Sequence, residues 1–369
     1  MKDLNKTWCS KAYLSAVSGL GTLAKGKNMA DKRNVFLDQI RALACIGVML
    51  FHYTQRFEEL YGLTPDWKFK LTYGRMIISV FFILSGYLAV VKDEGGTTVL
   101  GYLKKKAFRL YPAYWVCIIL TFAGTSLFLK DRAVSVSDLF VNFTMLQSFV
   151  GAALVDGAHW TLANELVFYV FILLCVVVLK KHNGLPVFFL LWMIILFLFY
   201  FFKADTPLFK TLGTLIADQY AQMFIVGSSI FFLKKGSNAN RILSLLNIIL
   251  AVVYQFMCFG KRYTLFFVFA SAVIAVCVLA DKILLKAAEK AEFVFKPLSF
   301  AAAISYPLYL LHQNWGYIFL KALINKGFHS EWIILVPIIA VGAVSCAIHF
   351  LVEKPLIKYG KGNLLYSEK

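Results

Sequence analysis

An arginine and a histidine, Arg41 and His52, stand inside the first apolar stretch of the chain, VFLDQIRALACIGVMLFHYT. Ionisable side chains at membrane depth are costly and mark function by default. The spacing of the two is three helical turns, so they share a face about 16 Å apart along the axis. Imidazole is the side chain best suited to general-base chemistry near neutral pH, which makes His52 the candidate for chemistry. Arg41 would hold an anionic ligand at the other end, and Asp38, one turn before it, could pair with it. The bland alternative is a snorkelling arginine and an interfacial histidine.

Five further constellations carry polar groups into apolar surroundings. In FFILSGYL, residues 81–88, Ser85 and Gly86 either allow close helix approach or leave room for a ligand chain. In KKKAFRLYPAYW, residues 104–115, Lys104, Lys105, Lys106 and Arg109 precede Pro112, which suits the first turn of a helix. Tyr111 and Tyr114 would surround that helix start. Arginine grips phosphate bidentately and a helix N-terminus favours anions, so a phosphorylated ligand is expected here. Lipid headgroups or topology alone would also account for such charge. In HWTLANELVFY, residues 159–169, His159 and Trp160 suit the membrane interface. Glu165 lies about 9 Å deeper, level with His52, where a carboxylate needs a partner or a proton. SYPLYLLH, residues 305–312, offers Ser305, Tyr306, Tyr309 and His312, with Pro307 to kink the helix. HFLVEKP, residues 349–355, ends on Glu353, either buried or interfacial.

The elements that must position these residues are helices. Of 369 residues 60% are hydrophobic and 16% charged, with a mean hydropathy of +0.71. Soluble domains are about 45–50% apolar. The fold class is therefore all-α, a polytopic helical membrane protein. Spans near the roughly 20 residues a crossing helix needs fall at 35–54, 75–92, 112–129, 159–179, 186–202, 214–233, 242–259, 263–280, 298–322 and 332–352. That is ten, with a turn at Gly260-Lys261-Arg262 separating the seventh from the eighth. No period-2 barrel pattern and no internal repeat is seen. The net charge of +18 comes mostly from lysines and arginines between alternate spans. That bias places both termini in the cytoplasm and excludes nucleic acid as the partner. The seven cysteines form no CxxC pair, and neither a disulfide framework nor a metal site is indicated. Residues 1–34 read as a cytoplasmic extension, with Met29 as an alternative start; 35–358 form the membrane domain and 359–369 a short cytoplasmic tail. The sequence sets no oligomeric state.

Taken together these motifs resemble the acyltransferase 3 family of multi-pass membrane acyltransferases. Arg41-x10-His52, FFILSGYL, RLYPAYW, WTLANELVFY, SYPLYLLH and VEKP occur in the family's order, over about residues 33–358. Thr161 stands where serine is commoner in the family, and keeps the hydroxyl. The resemblance implies a bacterial inner-membrane enzyme that moves an acyl group, usually acetyl, from cytoplasmic acetyl-CoA to a hydroxyl. Acceptors in the family are often sugars of O-antigen, exopolysaccharide, lipid-linked glycans or Nod factors. Acetyl-CoA would be a co-substrate, with no permanently bound cofactor. Many relatives carry an appended esterase-like domain; this chain is expected to act without one in cis.

On this reading Arg109, Lys104, Lys105, Lys106, Tyr111, Ser85 and Gly86 bind the donor. His52, Glu165 and Arg41 are catalytic, with Glu165 orienting His52. Trp160, Tyr309, Ser305 and His312 serve the acceptor or the oxyanion. Asp38 and Glu353 give structural support. The rival reading is a transporter or flippase with intramembrane proton-relay residues. Paired broken helices and inverted repeats would favour it, and the sequence shows neither.

Overall fold

The computed structural model describes residues 35–63, 68–92, 98–202, 204–281, 283–284 and 292–367; the expected extension 1–34, with Met29, lies outside them. Among the described residues every regular element is a helix. Nine carry the architecture: α1 (Val35–Phe51), α2 (Gly74–Lys92), α3 (Val99–Phe128), α4 (Trp160–Ile172), α5 (Leu185–Phe202), α6 (Ala221–Lys235), α7 (Asn238–Leu279), α8 (Glu292–Asn325) and α9 (Leu335–Ile348). α1 continues through a π-helical turn, His52–Arg56, to Tyr61. π-turns inside α-helices are frequent at functional sites, and His52 opens this one.

Seven helices among the described residues are long and apolar enough to cross a membrane. The windows at 214–233 and 298–322 fall outside that set. The first corresponds to α6, only 15 residues long and thus about 22 Å, short of the roughly 30 Å of a hydrocarbon core. Every residue of α6 from Ala221 to Phe232 is buried, including Gln222, Ser228 and Ser229. The second is α8, whose apolar run is broken by buried Ser305, His312, Gln313 and Asn314. α7 holds two expected windows. Its halves meet at Gly260, where φ is +76°, a conformation open to glycine. Gln255 bonds Gln222 near the start of α6, and Asp281 pairs with Lys234 near its end. The chain therefore reverses at Gly260, as the glycine-basic turn predicts, and both halves flank α6.

Helix α3 differs from its expected form. It begins at Val99, with the Thr98 hydroxyl accepting from the Gly101 N–H at 3.1 Å, and Pro112 lies inside it. Proline removes one N–H from the ladder, and in the same turn the Tyr306 hydroxyl of α8 donates to the Leu110 carbonyl at 2.9 Å. The helix N-terminus expected beside Arg109 is thus absent: Arg109 sits in the body of a helix. Of the expected tail at 359–369, residues 359–367 belong to a helix, Lys354–Ser367. It lies against the start of α3, where the Tyr359 and Phe108 rings are 6.0 Å apart.

Gly86 is also corrected. A Cβ there would collide with the Phe224 backbone carbonyl of α6, and a Cβ at Gly227 would collide with the Ile83 carbonyl of α2. The two glycines let α2 and α6 touch backbone to backbone, so Gly86 opens no room for a ligand chain. Gly227→Ala is expected to cost about 1–3 kcal/mol by overpacking. Gly342→Ala, whose Cβ meets nothing within 4 Å, is expected to be neutral or mildly stabilising. Thermal unfolding of the two variants in detergent checks the contrast.

Candidate functional site

The polar side chains gather in two clusters at the two ends of the Arg41–His52 face. At the Arg41 end, Glu165 of α4 accepts hydrogen bonds from Ser85 at 3.3 Å and from the Tyr169 hydroxyl. The Tyr169 carbonyl in turn accepts from the Tyr102 hydroxyl at 3.0 Å. Lys106 Nζ lies over the Tyr169 ring, 3.9 Å from its centroid, and over Tyr102 at 4.9 Å. Such cation–π contacts help to hold an ammonium in place. Arg109, one turn on from Lys106, faces the same space. Glu165 and Glu353 act on it electrostatically, yet no described residue hydrogen-bonds its guanidinium. Ser85, Leu88, Ala89, Lys106, Arg109 and Tyr169 line a small cavity of about 10 Å³, room for about one water molecule. A guanidinium and an ammonium converge on its wall.

Arg41 pairs with Asp38 at 3.5 Å, as the i,i+3 spacing predicts, and its charge reaches Tyr169. Lys104 is exposed and Lys105 half-buried, and neither lines this pocket. Tyr111 turns away from it: its hydroxyl donates to the Thr144 carbonyl at 3.0 Å, beside parallel bonds from Tyr114 to Asn142 and from Trp115 to Phe143. These three pin the segment after α3 against that helix, so Tyr111 is a brace and no donor contact. Glu353 is buried and bonded to His349 Nδ1 at 2.7 Å within a π-turn, which resolves its two sequence readings in favour of burial.

At the His52 end, His52 Nδ1 is 2.9 Å from the Tyr317 hydroxyl of α8. The His52 and His312 rings meet edge to face with centroids 5.0 Å apart. Glu165 forms no hydrogen bond to His52; its partners are Ser85 and Tyr169, so it belongs to the Arg109 cluster. The expected depth level with His52 is therefore corrected: Glu165 sits at the Arg41 end, where Ser85 of α2 and Tyr169 hold it. Tyr317, invisible as a candidate in the sequence, takes the place expected for Glu165.

A buried clip holds the α8 turn that carries His312. His159 Nε2 bonds the Leu310 carbonyl at 3.0 Å, and Asp156 Oδ2 accepts from the Asn314 N–H at 3.0 Å. Leu310 and Asn314 are one helical turn apart, with His312 between them. Arg132 Nε donates to Asn314 Oδ1 at 2.7 Å, and its guanidinium lies 5.5 Å from the Tyr317 ring centroid. Outside this ring, Lys321 pairs with Asp131 at 3.2 Å. Burial pushes the Asp131 carboxyl up, but the hydrogen bond and charge of Lys321 outweigh it and hold the group below its usual range. His159 is thus fully buried rather than interfacial. Asp156→Ala is expected to cost about 1–3 kcal/mol, because the Asn314 and Ala158 N–H groups lose their acceptor. A lowered unfolding midpoint checks it.

The expected oxyanion donors are otherwise engaged. Ser305 donates to the Ala302 carbonyl at 2.7 Å in its own helix. The Tyr309 hydroxyl is held by Thr161 at 3.0 Å and by the Ala158 carbonyl at 3.1 Å. Trp160 stacks in an aromatic group with Tyr220, 4.7 Å away, and Phe82, 6.2 Å away. Of the acceptor-side candidates, His312 alone touches His52. Asp156, Arg132, Asn314 and Tyr317 are the residues sequence reasoning missed. The available signal was Tyr317, two helical turns beyond Tyr309 on one face of α8.

A helical bundle with two ionisable clusters and several helices long and apolar enough to cross a membrane is the architecture of a multi-pass membrane protein. The chain belongs to the acyltransferase 3 family, whose acyltransferase domain matches residues 34–352. It is 25% identical over 163 residues to "Nodulation protein 10" of Rhizobium leguminosarum bv. viciae, covering 39% of this chain and 44% of that protein. It is 25% identical over 135 residues to "Putative acetyltransferase ORF330" of Acidianus two-tailed virus, covering 36% of this chain and 38% of that protein. The chain therefore matches less than half the length of each of these relatives. No solved structure matches it.

Proposed function

We propose that this protein transfers an acyl group, acetyl first among candidates, from an acyl-CoA at the Arg109 end to a sugar hydroxyl at the His52 end. The acceptor is a surface polysaccharide or lipid-linked glycan, and the setting a bacterial inner membrane. The observation that carries this reading is the Arg109 guanidinium: half-buried beside Lys106 in the small cavity, with no hydrogen-bond partner among the described residues. A guanidinium in that state suits the phosphates of CoA. The basic residues between spans put this end in the cytoplasm, where acyl-CoA resides.

From there the thioester must reach His52, about 16 Å along α1, a distance an extended pantetheine arm can cover. Arg41 stands at the start of that path. The histidine pair His52 and His312, 5.0 Å apart between ring centroids, serves the step where the acceptor hydroxyl meets the thioester carbonyl and gives up its proton. The hydroxyl oxygen attacks the carbonyl, the C–S bond breaks, and CoA leaves as its thiol. The name of the viral relative supports acetyl as the group moved. Mass spectrometry of surface glycans from cells with and without this gene tests the proposal. An acetyl-sized mass lost with the gene is the expected result; identical glycans contradict it.

A further inference from the structure

We infer that the two histidines of the reaction centre have opposite roles: His312 is the base, and His52 is a hydrogen-bond donor fixed by Tyr317. This rests on the reading that the acceptor hydroxyl reacts at His52. The hydrogen bonds decide the tautomers. His312 Nδ1 lies 2.7 Å from the Tyr309 carbonyl. A carbonyl only accepts, so Nδ1 carries the proton, and the neutral ring keeps its lone pair on Nε2. That Nε2 is buried and has no hydrogen-bond partner among the described residues.

His52 is arranged the other way. Its Nδ1 faces the Tyr317 hydroxyl at 2.9 Å, and Tyr317, fully buried, has no other side-chain hydrogen-bond partner among the described residues. If His52 donated, the buried tyrosine proton would be left without an acceptor, a costly state. Tyr317 therefore donates to Nδ1, and the neutral His52 ring carries its proton on Nε2. The basic nitrogen of His52 is thus occupied, while that of His312, one ring contact away at 5.0 Å, is available.

The reaction balances on these two rings. The acceptor hydroxyl gives its proton to His312 Nε2 as its oxygen bonds the thioester carbon. His52 Nε2–H hydrogen-bonds the resulting oxyanion. When the C–S bond breaks, the CoA thiolate takes the proton from His312, which returns to neutral. His312 therefore cannot be an oxyanion donor, and the α8 clip of Asp156 and His159 acts by keeping its turn in place.

The test uses the purified full-length protein, radiolabelled acetyl-CoA and a purified surface glycan. Glutamine can imitate an Nε2–H donor but is never a base. His52→Gln is expected to retain at least about tenfold more transfer than His52→Ala. His312→Gly is expected to lose about 10²-fold or more, with imidazole restoring transfer and thiophene, of similar shape but not basic, failing to. His52→Gln as inactive as His52→Ala, or thiophene rescuing as well as imidazole, overturns the assignment while leaving the acyl-transfer reading intact. Wild-type protein that transfers no acetyl group overturns both.

Discussion

Replacing His52 by alanine is expected to lower the turnover of acyl transfer by about 10²–10³-fold while leaving the affinity for acyl-CoA unchanged. The magnitude is that of removing one group aimed at the charge developing in an acyl-transfer transition state. The selectivity follows from position. His52 contacts Tyr317 and His312, whereas the candidate donor pocket is lined by α2, α3 and α4. Steady-state kinetics against acetyl-CoA, with CoA binding measured separately by calorimetry, checks both halves. A variant that lost CoA affinity in proportion to turnover would place His52 in the donor site instead. Tyr317→Phe should show the same pattern with a smaller loss, because the ring and its packing remain.

Replacing Arg109 by alanine should do the reverse. Charge-assisted hydrogen bonds contribute about 1.5–3 kcal/mol each, so CoA affinity should fall by about tenfold to a hundredfold. The substitution also removes a cation on which Glu165 and Glu353 act. Removing it leaves the carboxylates of Glu165 and buried Glu353 with less compensating charge, which is destabilising. Arg109→Lys separates the two effects. Its charge should restore the unfolding midpoint, while the loss of the planar fork keeps CoA binding weak. Calorimetry with CoA and thermal unfolding of the same preparations give the answer. Full CoA affinity in Arg109→Ala would remove this pocket from the donor path.

How much of this was legible beforehand depends on which coordinate of a helix is asked for. Depth and face along one helix follow from spacing alone. Arg41 and His52 share a face, Asp38 reaches Arg41, and Gly260 reverses the chain, all as the local pattern requires. Partners across helices do not follow from spacing, because they depend on which way each helix is turned against its neighbours. Glu165 is expected level with His52 but lies with Arg109 at the other end, because depth counted along one helix does not transfer to its neighbours, and Tyr317 gives no such local signal. Tyr111 and Ser305 carry hydroxyls that a sequence leaves free to act, yet backbone carbonyls claim them in the fold. Pro112 misled through a statistical habit: proline favours a helix start, but a capped helix already running from Val99 carries it inside.

On the proposed function the two clusters divide the work, anion binding beside Arg109 and proton handling beside His52, and an acyl group passes from one to the other. Purified protein in sealed vesicles, with labelled acetyl-CoA on the side of the basic loops and a purified surface glycan on the opposite side, tests it most directly. The account predicts labelled glycan on the far side, matched by CoA thiol released on the near side. Label crossing the membrane as intact acetyl-CoA, with no thiol released, would contradict it and identify a transporter.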